Sequence, residues 1–218
     1  MFQRMKAHNE SNNQKLFMNL SCVEVYNEET KNLSGIKEFG KCTEFGTTCD
    51  SLIELAIKNR TVAATQYNQR SSRSHCLYKF TIHKESNTCQ QDIEDEDNLV
   101  GVLNLIDLAG SERLPMIHDD DNQAQEKHQR KSETKHINTS LYSLSQALKA
   151  MVRGSIVDYR SSTLTRLLKE DLTHHNKSGS KSKIVMFVNI KPPINIQDKH
   201  IDKTISSLQF AKDAHTFD

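Results

Sequence analysis

Two short stretches hold residue types and spacings that could do chemistry. The first is Gly101 to Arg113, GVLNLIDLAGSER, where Val102, Leu103, Leu105, Ile106 and Leu108 form a nearly continuous apolar run interrupted by Asp107 and followed by Gly110, Ser111 and Glu112. Continuous rather than alternating apolar residues predict a strand buried on both faces. Such a strand sets polar groups at its carboxyl edge, where open α/β sheets bind ligands. A carboxylate there can hold a water of a divalent cation, and the side-chain-free Gly110 lets its N–H approach a phosphate closely. Upstream, Asn68 to His75, NQRSSRSH, sets the hydroxyls of Ser71 and Ser72 before Arg73 and leads into an alternating strand, Leu77 to His83. Hydroxyls, a guanidinium, a strand-end carboxylate and a glycine N–H suit phosphoryl transfer, in which a protein mostly positions groups and supplies charge.

The 218 residues can bury one sizeable core and read as one domain. Net charge +1 with 26% charged residues gives no global pull toward polyanions, so nucleic acid is not an expected partner and any acidic protein must be met by a local patch. No apolar run is long enough to cross a membrane and Met1 opens no signal-peptide pattern, which predicts a cytosolic or nuclear protein without a membrane partner. The five cysteines, Cys22, Cys42, Cys49, Cys76 and Cys89, show no C-x-x-C spacing and predict a reducing compartment rather than a zinc site. The histidines, including His174 and His175, likewise lack metal-ligand spacing.

The elements that must position the two stretches follow from periodicity. Met1 to Asn13 has no clear period and reads as a frayed end or a helix stub. Leu16 to Tyr26 alternates and predicts a strand. Gly35 to Cys42, GIKEFGKC, departs from G-x-x-x-x-G-K-[ST] only at its last position, but a phosphate loop needs a buried strand directly before it and a helix directly after it. The polar turn Asn27 to Ser34, the crowding Glu38 and Phe39, and the thiol of Cys42 argue against that use. Asp50 to Asn59 predicts a helix with Asp50 as N-cap and Leu52, Ile53, Ala56 and Ile57 on one face. Glu85 to Asn98 predicts a solvated hairpin loop that makes the flanking strands antiparallel neighbours. Leu114 to Lys131 reads as a long mobile polar segment, and Ser132 to Val152 as a helix with Ile137, Leu141, Leu144, Ala147, Leu148 and Met151 on one stripe. Asp158 to Leu172 predicts a helix, Lys183 to Ile190 a buried strand, and Ile201 to Ala214 a closing helix.

Together N-x-x-S-S-R-S-H and D-L-A-G-S-E-R match the switch I and switch II signatures of the kinesin motor family, and the chain resembles that family from about Leu16 to Ala214. Val23 to Glu28 resembles its E-[IV]-Y-N-E strand end, His136 to Leu141 its N-I-N-K-S-L helix, and Asp158 to Leu172 its Y-R-D-S-K-L-T-R-L-L helix. Gly40 to Glu44 falls where the family carries a G-L-T-E loop on its tubulin-facing side. The implied fold is the three-layer α/β nucleotidase fold of kinesins, a central mixed sheet flanked by helices, lacking its N-terminal part. Within it, 1–13 form a frayed start, 14–131 hold strands and both switches, and 132–218 hold the microtubule-facing helices, last strand and last helix.

The resemblance assigns roles residue by residue. Ser71 and Ser72 would meet Mg²⁺ and the γ-phosphate of ATP, Asp107 would hold a metal water, and Gly110 would donate its N–H to the γ-phosphate. Arg73 and Glu112 would form an ion pair that closes the site and positions the attacking water, with Asn68 beside it. Lys135, Arg160 and Arg166 match basic track-facing positions, with Lys149, Arg153 and Lys169 nearby. Thr139, Ser161 and Thr163 depart from the family pattern, and Asp119 to Asp121 place negative charge in a loop toward an acidic surface, so weaker microtubule affinity is expected. No G-x-x-x-x-G-K-[ST] occurs in these residues, so this chain alone is expected to be inactive as an ATPase. Two readings stay open: the switch and microtubule-binding portion of an ATP-driven motor, and a non-catalytic microtubule-binding module that partners an active kinesin. A coiled-coil dimer partner would lie outside this chain. Its place would be the cytoplasm and the microtubule cytoskeleton, the spindle included. The chain stops just after its last helix, as expected of a C-terminally placed, minus-end-directed motor or of a truncated gene model.

Overall fold

Tyr26 to Glu29 turns the chain back on itself with Asn27 (φ 52°) and Glu28 (φ 63°) both in the left-handed region. This is the two-residue hairpin turn whose twist matches that of the strands it joins. It links β1 (Leu16–Tyr26) to β2 (Glu29–Asn32) in a computed structural model that describes residues 5, 7–9, 15–33, 40–42, 51, 53–60, 72–84, 98–110, 124–173, 183–190 and 201–214. The other described elements are β3 (Gly40–Cys42), helix α1 (53–60), β4 (His75–Lys84), β5 (Leu99–Asp107), α2 (Ala124–Val152), α3 (Thr163–Thr173) and α4 (Ile201–Ala214).

The chain divides into two compact units, the first comprising Met1–Glu24, Thr30–Ser71 and His75–Leu108, the second Val25–Glu29, Ser72–Ser74 and Ala109–Asp218. The first is built on a sheet of order β2-β1-β4-β5, with β3 also paired to β1. The β1–β3 and β4–β5 ladders are both antiparallel, the latter as the intervening acidic stretch predicted. Met18, Leu20 and Phe80 form a core with Met5, and the half-buried Ile53 of α1 packs on it. Met5 is buried there, and Asn9 clasps the backbone N–H and carbonyl of Leu16 at 2.8 and 2.9 Å. On α1, Ala56 is buried but Ile57 is exposed, which narrows the expected apolar face; Asp50 and Leu52 lie outside the described residues.

Strand β5 corrects a central expectation. Its neighbours Val102 and Leu103 point to opposite faces, yet they are 41% and 42% exposed, and Leu105 is exposed too. The strand ends the sheet order, and among the described residues nothing pairs with its outer edge. The apolar run therefore marks a strand written for burial on both faces whose cover is missing here. The same holds for residues 183–190, expected as a buried strand, which lie outside any helix or strand with Phe187 86% exposed.

In the second unit α2 starts at Ala124, so the segment expected to be mobile is helical from there, whereas 111–123 lie outside the described residues. Ile137, Leu141, Leu144, Ala147 and Leu148 are buried as the stripe predicted, and α2 packs against α3 and α4. The helix ends where Gly154 (φ +62°) allows the Gly154 N–H to reach the Met151 carbonyl and the Ser155 N–H the Ala150 carbonyl. This paired closure satisfies carbonyls that the helix leaves open, and a left-handed residue is what it requires. Helix α3 begins at Thr163 rather than Asp158, because Ser162 caps it by accepting from the Thr165 N–H at 3.2 Å.

Candidate functional site

Antiparallel pairing of Cys76 with Asp107 sets the end of β5 beside the start of β4. The chain before β4 and the chain after β5 are thereby brought to the same edge of the sheet, and the Gly110 N–H donates to the Ser72 carbonyl at 3.1 Å. The two stretches singled out in the sequence therefore meet. Asn68, Ser71 and Glu112 lie outside the described residues, so the expected Arg73–Glu112 pair does too.

The described partner of Arg73 is Glu133 on α2. Arg73 Nη1 lies 2.6 Å from Glu133 Oε2, with the two side chains 13% and 4% exposed. The Tyr26 hydroxyl donates to the other carboxylate oxygen. A carboxylate with one ionic and one phenolic partner is well satisfied, as a buried charge must be. Neither Glu133 nor Tyr26 was singled out in the sequence. A signal for Glu133 did exist: it stands four residues before Ile137, on the buried stripe of α2, where an acid requires a partner.

Asp107 ends β5 with its side chain 62% exposed, and Arg60 Nη1 reaches its Oδ2 at 2.6 Å. Burial disfavours the Arg60 charge, but the bond and charge of Asp107 together with the neighbouring Cys76 and Tyr78 outweigh it, and the guanidinium's pKa is raised. Nothing in the sequence pointed from the end of α1 to Asp107. Ser72 is exposed and Gly110 half-buried. An exposed strand-end carboxylate such as Asp107 is of the type that holds a water of a divalent cation. Among the described residues no cradle for the phosphates accompanies it: Gly40–Cys42 is a strand paired to Met18–Leu20 where a phosphate loop would start a helix.

The basic residues expected to face a track all stand at the surface of the second unit. Lys135, Arg153, Arg160, Arg166 and Lys169 are exposed and Lys149 is half-buried. Lys135 and Lys149 lie fourteen residues apart on α2, about four turns and only roughly 40° apart around the axis. Arg166 is held back on its own helix, donating to Thr163 Oγ1 at 3.1 Å.

A family description for the kinesin motor domain matches residues 40–217. Kinesin-like protein KIN-14H of Arabidopsis thaliana is 32% identical over 217 residues, a match covering 92% of this chain and 19% of that protein. The motor domain of the Kar3-like kinesin from Ashbya gossypii superposes with a TM-score of 0.68 at 26% identity, over 98% of this chain and 64% of that one. The C-terminal motor and motor homology domain of Kar3Vik1, fused to a synthetic heterodimeric coiled coil, gives 0.68 at 26% identity over 98% of this chain and 55% of that one. The chain thus spans 19% of the length of KIN-14H and under two thirds of these solved chains. Sequence signatures, sheet and family match agree on one assignment, and the chain belongs to the kinesin motor domain family.

Proposed function

We propose that this chain is the switch and microtubule-binding portion of a microtubule-based motor that couples ATP hydrolysis to movement. The observation that carries the reading is the Gly110 to Ser72 hydrogen bond, which joins the backbones of the two signature motifs. Bound ATP with Mg²⁺ would supply the terminal phosphate whose presence or loss such motifs sense. For their part, Ser72 offers a hydroxyl and Asp107 an exposed carboxylate to a hydrated cation, Gly110 can exchange its backbone partner for a phosphate oxygen, and Arg73 supplies positive charge. Asn68, Ser71 and Glu112 complete the set in this reading. Because these 218 residues hold no phosphate loop, the chain alone does not turn over ATP.

Lys135, Lys149, Arg153, Arg160, Arg166 and Lys169 form the patch that meets acidic tubulin, and the working place is the microtubule cytoskeleton. Similarity to the C-terminal motor domains of Kar3 proteins supports a C-terminally placed motor, with any coiled-coil partner lying outside this chain. A second reading, a non-catalytic microtubule-binding module paired with an active kinesin, rests on the same basic patch and needs no phosphate cradle.

Cosedimentation and phosphate release test the proposal together. Binding to microtubules at low salt, lost as salt rises and weakened in R160A/K169A, supports the patch. Absence of microtubule binding at low salt overturns it. Microtubule-stimulated phosphate release by the chain alone overturns the claim that it is inactive. Release that appears only when a phosphate-loop polypeptide of a kinesin is supplied in trans separates the motor reading from the non-catalytic one.

A further inference from the structure

Two buried thiols have no part in this reading. Cys22 on β1 and Cys76 on β4 have their Sγ atoms 3.8 Å apart and are 1% and 0% exposed. Their strands are neighbours in the sheet, and both side chains belong to one small cluster with Leu33 and Ala56. Adjacent strands of a sheet run ~4.7–4.9 Å apart, within the ~4.4–6.8 Å that a disulfide spans between Cα atoms, and the 3.8 Å between the sulfurs must shorten to ~2.05 Å for the bond to form.

The two thiols are also unequal. Cys76 is lowered to about 7, chiefly by its hydrogen bond with Cys22, with burial opposing and with Tyr78 and Arg60 helping. Cys22 is pushed upward, first by Cys76 and then by burial. One sulfur is thus poised as the attacking thiolate and the other as the resolving thiol. Cys76 is itself buried, and its register partner on β5 is Asp107, whose side chain is exposed at the end of that strand, so a peroxide must enter past the strand end to reach the sulfur.

We propose that Cys22 and Cys76 are a redox-responsive pair that closes to an intramolecular disulfide when the chain meets a hydroperoxide. The Cys76 thiolate attacks the terminal peroxide oxygen, the O–O bond breaks, and the leaving oxygen takes up a proton and departs as water from hydrogen peroxide or as the alcohol from an organic hydroperoxide, leaving Cys76 as a sulfenic acid. The Cys22 sulfur then attacks the Cys76 sulfur, the S–O bond breaks, and the hydroxide takes the Cys22 proton and leaves as water. Two thiols are oxidised and one hydroperoxide is reduced. The bond would tie β1 to β4 four residues before Tyr26 and three residues after Arg73, the two groups that hold Glu133. The proposal does not depend on the motor reading.

The test uses the whole 218-residue chain and hydrogen peroxide, followed by alkylation and peptide mass spectrometry without reductant. The expected product is a Cys22–Cys76 cross-linked peptide, about 2 Da lighter than the two reduced peptides together, formed ahead of any link to Cys42, Cys49 or Cys89 and reversed by dithiothreitol. In C22S, a dimedone adduct on Cys76 is expected, and in C76S no adduct on Cys22. Recovery of both Cys22 and Cys76 as alkylated thiols from peroxide-treated wild-type chain, or a first disulfide that joins other cysteines, overturns the proposal. The wild-type result decides the matter even if a serine variant fails to fold.

Discussion

The Arg73 guanidinium lies 2.6 Å from the Glu133 carboxylate of α2, so the arginine of the S-S-R-S-H motif is held by the long helix rather than left free at the sheet edge. Glu133 also receives the Tyr26 hydroxyl, and one buried carboxylate on α2 therefore gathers Tyr26 and Arg73. Removing it strands a poorly solvated guanidinium. E133A is expected to lose about 3 kcal/mol and E133Q less, because the amide keeps a partner for Tyr26. Urea midpoints check this, and in a double-mutant cycle R73A/E133A costs less than the sum of the single changes.

A second relationship ties the β1–β2 turn to α3. Glu28 Oε2 accepts from the Thr163 N–H at 2.5 Å, and the Thr163 hydroxyl donates to the Glu28 carbonyl at 2.8 Å. Glu28 pays for this position with a left-handed backbone that disfavours any side chain. E28A keeps the strain and loses the cap, a net loss of about 1 kcal/mol. E28G loses the cap but relieves the strain, and its stability is expected near that of the wild type. The order of the two thermal midpoints decides the point.

His83 stacks on Phe17 with ring centroids 5.3 Å apart, and burial holds its pKa below 6.5. As pH falls below about 6.5 the unfolded chain takes up a proton that the folded imidazole resists. The stability is therefore complete above that value and declines below it. Urea midpoints between pH 7 and pH 5 should fall, and H83F, which keeps an aromatic face toward Phe17, should lose part of that slope.

The uncovered strand β5 exposes Leu103 and Leu105 on one face of the sheet. Exposed apolar strand edges invite self-association. L103K/L105K is expected to raise the soluble fraction of the chain while changing stability by no more than about 0.5 kcal/mol. Ultracentrifugation before and after measures the first, and urea unfolding the second.

Much of this protein was written locally. The alternation of Leu16–Tyr26, the stripe on α2 and the closing helix Ile201–Ala214 are periodicities of one element, and each appears where its residues placed it. The motifs around Ser72 and Gly110 pointed to a shared site because motif chemistry is carried by residue type and order, and the antiparallel β4–β5 ladder brings them together. Partners were not written locally. Arg60 on Asp107 and Glu133 on Arg73 join residues 47 and 60 positions apart, and nothing in either neighbourhood names the other. Exposure was decided by tertiary structure as well: Val102 to Ile106 and 183–190 carry the composition of buried strands, but burial is a property of what lies against a strand, and no residue type supplies its own cover.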